Sequence, residues 1–128
     1  MKVDRNRMLV FIVSMIGVFV LLRVSLQLSP NSNFNVADYN IHHLFIGLIL
    51  IMMGGVPLAI AHLGKRLGLL VTSIFGLGLG IALDEWVYLI TTDGSDESYL
   101  LPISFWGGVV AIAVASGYAV LLGFVGRR

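Results

Sequence analysis

The chain contains no cysteine. That excludes thiolate zinc sites, iron–sulfur clusters, disulfide exchange and cysteine nucleophiles. Charge is scarce as well: 12% of the 128 residues are Asp, Glu, Lys or Arg, where a soluble domain carries about 25%. What remains is apolar, with 58% hydrophobic residues and a mean hydropathy of +0.96. A membrane-crossing helix needs about 20 apolar residues. Four such helices with short connections use up residues 1–128 as a single integral membrane domain and leave no room for a separate soluble one. A cofactor would have to sit between the helices or at their ends.

The apolar runs predict helices over about 8–28, 41–63, 67–90 and 100–125. The expected fold is all-α, a four-transmembrane-helix bundle with N- and C-termini cytoplasmic. The basic start (Lys2, Arg5, Arg7) would also suit a signal peptide, but no small-x-small cleavage site follows, so a retained helix is expected. Turn chemistry closes the first run at Ser29, Pro30, Asn31, Ser32 and Asn33. Orientation follows from the basic residues: Lys2, Arg5, Arg7, Lys65, Arg66, Arg127 and Arg128 flank one face, taken as cytoplasmic. Asp38, Asp93, Asp96 and Glu97 flank the other, with Asp84 and Glu85 just inside it. The expected location is the cell membrane, multi-pass, with the lipid bilayer as first partner.

The ionisable residues that fall inside or beside the apolar runs gather near the acidic end. Arg23, His42, His43, Asp84 and Glu85 lie at the outer ends of the first three helices. Charge inside a membrane is costly and faces a bundle interior or a polar cavity. Asp84 lies about 26 Å along its helix from Leu67, against a hydrocarbon core of about 30 Å. Small residues mark the close-packed faces. On the third helix Thr72, Gly76 and Gly80 lead to Asp84 and Tyr88 on one row. On the fourth, Gly107, Ala111, Ala115, Ala119 and Gly123 form a ridge. On the second, Gly47 and Gly54 share a row toward which His43 leans, while Asp38 and His42 stand four apart. Gly54, Gly55 and Pro57 predict a kink in mid-membrane.

Two imidazoles with carboxylates suit a divalent transition metal such as Zn, Mn or Fe. The candidate ligands are His42, His43, Asp84, Glu85 and Asp38. Adjacent residues on a helix diverge by about 100°, which favours one His with the two acids. The competing arrangement is a metal-free network built on a buried Arg23–Asp84 ion pair. Arg23 could equally reach the headgroups. His62, at the other end beside Lys65 and Arg66, reads as interfacial. All three His lie on the second helix, so one chain does not offer a bis-His haem. Gly76 to Gly80 lies inside a membrane helix and is no nucleotide loop. Trp86, Tyr88, Tyr99 and Trp106 read as an interfacial aromatic belt, with Phe105 or Trp106 as an alternative wall of the site. No nucleotide or nucleic acid is expected as a partner.

The length and helix number match small multidrug-resistance exporters, but those depend on a Glu in the first helix, where this chain has no acid. Three functional classes compete. The first is a site that binds or moves a divalent metal or a proton, which in so small a chain calls for a homo-oligomer. The second is a membrane metalloenzyme on a lipid or interfacial substrate, with Asp84, Glu85 or Arg23 as catalytic candidates. The third is a non-catalytic accessory subunit whose polar cluster fixes helix register. The cytoplasmic halves of the helices hold almost no polar residues, which weakens the case for a channel.

Overall fold

The computed structural model describes residues 3–28, 35–36, 39–40 and 42–126. Its elements are α1 (Arg5–Leu28), β1 (Asn35–Val36), β2 (Tyr39–Asn40), α2 (His43–Ile60), α3 (Lys65–Thr91), α4 (Asp96–Tyr99) and α5 (Pro102–Val125). Apart from the two-residue antiparallel pairing of β1 with β2, the fold is helical. Four helices, α1, α2, α3 and α5, are long and apolar enough to cross a membrane. The Ser29–Asn33 turn, Asp38 and the terminal basic residues Lys2, Arg127 and Arg128 lie outside the described residues.

Local chemistry sets the ends. The Asp4 carboxylate accepts from Asn6 N (3.0 Å) and Arg7 N (3.2 Å) and starts α1 three residues before the apolar run, as an N-cap does. Lys65 and Arg66, expected in a turn, form the first turn of α3 instead. Thr91 and Thr92 end α3 by donating to carbonyls one turn back. Gly94 then takes φ +76°, a conformation open to glycine at little cost. Pro102 opens α5 within its first turn, where its missing N–H costs nothing.

The central element is α3. It packs against α1, α2 and α5, and α1 also packs against α5. Glycines set the spacing. A Cβ on Gly47 would lie 2.8 Å from Gly78 O, and one on Gly54 would lie 2.5 Å from Phe75 N, so α2 and α3 touch backbone to backbone. On the other side, Cβ atoms on Gly76 and Gly80 would strike the carbonyls of Phe11 and Met15 in α1. Close approach through small residues is how membrane helices gain van der Waals contact. The extended contact of α2 is with α3 alone. The molecule is therefore a three-helix core (α1, α3, α5) with α2 as a flanking helix.

Burial follows this plan. Met15, Phe19 and Ile112 form the core cluster. The α3 row is buried throughout, at Thr72, Gly76, Gly80, Asp84 and Tyr88. On α5 the buried residues are Ser104, Gly108, Ala111 and Ile112, a face displaced from the expected ridge. Gly107 does face α3, where a Cβ would meet the Val87 side chain. Lower down, a groove of ≈ 600 Å³ opens between the starts of α1 and α3 and the Ala115–Leu122 stretch of α5.

Candidate functional site

At the α4 end of the core, α1 and α4 meet the Asp84 carboxylate of α3, and α5 joins through Arg23. Asp84 is 0% exposed. It sits on the glycine row of α3, so the close α1–α3 approach that the glycines permit carries it into the interior. Arg23, four turns along α1 from the start of the apolar run, is 8% exposed. Its Nε donates to Asp84 Oδ1 at 2.7 Å, and Nη2 also lies 2.7 Å from that oxygen. Nη2 further donates to Ser104 O and Ser104 Oγ, each at 3.1 Å, and Nη1 to Tyr99 O at 3.2 Å. The Tyr99 hydroxyl donates to Asp84 Oδ2. The guanidinium lies 4.1 Å from the centre of the Tyr99 ring, a cation–π distance. Burial pushes the Tyr99 hydroxyl far above the ordinary tyrosine range, with the Asp84 charge adding to it. Tyr99 therefore remains a donor.

This knot joins α1, α3, α4 and α5. Arg23 is always charged and offers its donors in a planar fork. Here the fork is used on a carboxylate, the backbone carbonyls of Tyr99, Ser104 and Asp84, and a hydroxyl. Both Asp84 oxygens are occupied. A buried ion pair offsets its desolvation cost only when the remaining donors and acceptors are also satisfied, and this one meets that condition.

Glu85 faces another way. It is 3% exposed and reaches α2. Oε2 accepts from Leu44 N at 2.8 Å, and Oε1 from His43 N at 3.2 Å. His42 occupies the N-cap position of α2 but makes no side-chain cap. Glu85 thus caps α2 from the neighbouring helix, filling orphan N–H groups and placing its charge at the positive end of the helix dipole. The Nδ1 of His43 lies 3.1 Å from Glu85 Oε1. The His43 side chain is 29% exposed and is the open member of the pair.

The sequence residues thus fall into two groups. Arg23 and Asp84 come together in one, and His43 and Glu85 in the other. His42 points to neither: its ring lies 6.4 Å from that of Tyr88. Asp38 is outside the described residues. Among the described residues no three His, Asp or Glu side chains come together as a metal centre would need. The expected set of His42, His43, Asp84 and Glu85 is not assembled, because Asp84 and Glu85 diverge around α3 and each is spent on its own partners.

Two members of the site escaped sequence reading. Tyr99 and Ser104 were not assigned to it. Tyr88 and Tyr99, expected in the aromatic belt, are buried at 2% and 7% exposure, whereas Trp86 and Trp106 stay exposed at 48% and 61%. Phe105 does wall the arginine, 5.8 Å from its guanidinium carbon. A further cavity lies elsewhere. It is a groove of ≈ 800 Å³ between α3 and α5, walled by Trp86, Val87, Ile103, Trp106 and Val110, with no ionisable group except the Tyr118 hydroxyl. His62 is exposed between α2 and α3.

No protein-family model matches the chain, and neither a curated protein nor a solved structure matches it.

Proposed function

We propose that the chain is a non-catalytic, multi-pass subunit of the cell membrane, with both termini cytoplasmic, whose outer-end cluster locks helix register without a metal. The observation that carries this reading is the closed state of the Arg23–Asp84 knot. Asp84 is 0% exposed, and both its oxygens are engaged by Arg23 and Tyr99. A catalytic base or a metal ligand needs a free lone pair facing a substrate or ion, and a catalytic acid needs its proton there. In hydrocarbon each unsatisfied polar group costs several kcal/mol, so one satisfied knot selects one helix register over its neighbours.

The inner half supports the same reading. Ser14 and Ser73 pair there at 2.9 Å and Thr72 donates to Gly68 O at 2.6 Å, while Ser116 Oγ is buried with no hydrogen-bond partner among the described residues. A row of exchangeable sites, as a conducting path would have, is not seen among the described residues. The orientation rests on the basic residues at the α1 start, the α2–α3 connection and the chain end.

Elemental analysis of the purified, detergent-solubilised protein tests the claim, after incubation with Zn²⁺, Mn²⁺ and Fe²⁺ and beside a His43→Ala/Glu85→Ala variant. Background metal in both proteins is the expected result. About one transition metal per chain or per oligomer, lost in the variant, would overturn it. The absence of native cysteine allows the orientation to be read with single cysteines at Gly64 and Gly94. An impermeant maleimide should label Gly94→Cys in intact cells and leave Gly64→Cys unlabelled.

A further inference from the structure

The outer end carries one acid more than it has permanent base. Arg23 is spent on Asp84, which leaves Glu85 as a buried carboxylate without a permanent counter-charge among the described residues. Two backbone N–H groups offset part of its charge. Among the described residues a whole compensating charge can come from His43, whose Nδ1 lies 3.1 Å away. Imidazole is the side chain that ordinarily changes charge between about pH 5 and 8. Its ring is also the part of the pair open to the outside, while Glu85 itself is 3% exposed. A proton from the outer aqueous phase thus has a path to the pair through the His43 ring.

The groups around the pair are few. On α3 are Asp84, one residue away, and Tyr88, whose hydroxyl donates to Ser95 O. On α1 is Arg23, and on α4 Tyr99, both bound to Asp84. His42 precedes α2 and contacts the Tyr88 ring.

The mechanical consequence comes from the fold. The extended contact of α2 is with α3 alone. Below the head, that contact is made by glycines and apolar side chains at Gly47, Gly54, Gly78 and Phe75. The head is fastened by three hydrogen bonds onto Glu85. We propose that this is a binding site for one proton: His43 carries it, Glu85 balances it, and its loss loosens the head of α2 from α3. With the proton bound, the pair is neutral overall and all three hydrogen bonds are strong. With the proton gone, the buried carboxylate keeps its full charge, held by two backbone N–H groups and by no more than a neutral imidazole N–H. The grip is therefore tight on the acid side of the imidazole titration and weaker on the alkaline side.

The full chain in nanodiscs, spin-labelled at Phe45→Cys on α2 and Ile103→Cys on α5, provides the test. Both positions are exposed, at 54% and 51%, and no native cysteine competes. Distances are measured by double electron–electron resonance at steps from about pH 5 to about pH 8.5, across the imidazole range. The wild-type background should give one narrow distance at acid pH and a second population that grows several-fold toward alkaline pH. His43→Gln should abolish the pH dependence, and Glu85→Gln should show the second population at every pH. A wild-type distribution that stays constant over the range would overturn the proposal. So would an unchanged pH response in His43→Gln, which would assign the proton to another group. Should Glu85→Gln fail to fold, the wild-type series and His43→Gln decide the matter alone.

Discussion

Each end of α1 carries an arginine that ties the helix to its neighbours, and the two ties are unlike. At the inner end Arg7 lies 3.6 Å from Asp4, with side chains 34% and 53% exposed. It also donates to Leu63 O at 3.3 Å, and its Nε, the atom facing Asp4, makes no hydrogen bond among the described residues. At the outer end Arg23 meets an Asp84 that is 0% exposed and makes six hydrogen-bond or ion-pair contacts on three other elements. The residue types are the same and the helix is the same. Burial and the completeness of the partner set differ. An exposed ion pair contributes about 0–1 kcal/mol, whereas removing one partner of a buried pair costs about 3–5 kcal/mol. The lesson is that counting charges at a helix end says little until one knows whether the partner is dry. The Arg7 end stays open, with a groove beside it, and the Arg23 end is closed.

The comparison can be broken most sharply at Asp84. Asp84→Leu leaves Arg23 buried and uncompensated, and should lower stability by about 3–5 kcal/mol, read from thermal or denaturant unfolding in detergent. The next effect belongs to neither arginine. Gly54→Val places a Cβ 2.5 Å from Phe75 N, against backbone that cannot give way. Overpacking of this kind costs about 1–3 kcal/mol, and labels on α2 and α3 should report a wider separation. Arg7→Leu should change stability by no more than about 1 kcal/mol, and a larger loss would mean that the inner tie is as dry as the outer one.

The smallest effect sits on the polar loop. Asp93 accepts from Ser95 and Ser98, and those hydrogen bonds hold its carboxyl down at about 2, from an ordinary 3.8. Its folded value lies below its unfolded one, so its stabilising contribution is present above the unfolded value. It is lost as pH falls through about 2. Nuclear magnetic resonance titration of the Asp93 carboxyl should place its midpoint there, and Ser98→Ala should move the midpoint up.

How much of this could be read from the sequence varies with the kind of signal. The four long helices are legible because run length against membrane thickness is a coarse test that few alternatives pass. The inward direction of Asp84 is legible too, since Thr72, Gly76 and Gly80 mark a small-residue face one row long. The Arg23–Asp84 pair could be named as an alternative but not chosen, because a second reading used the same carboxylate for a metal. What decides between them is Tyr99, which arrives on the four-residue helix α4. So short an element has no periodicity to read. Ser104 was missed for a related reason: small residues alone did not show which of two adjacent faces of α5 meets the core. The flanking position of α2 was equally hidden, since a helix apolar all round gives no moment that distinguishes lipid from protein. That only one of His42 and His43 joins the acids is legible, because successive helical positions diverge; which one is not, and the cap that Glu85 supplies selects His43.

The account rests on Arg23 and Asp84 acting as one unit. A double-mutant cycle with Arg23→Leu, Asp84→Leu and the pair together, followed by unfolding in the same detergent, tests that directly. The account predicts that each single change costs about 3–5 kcal/mol while the double change costs less than either, because no buried charge is then left alone. Losses that simply add, or an Asp84→Leu protein as stable as the wild type, would contradict it.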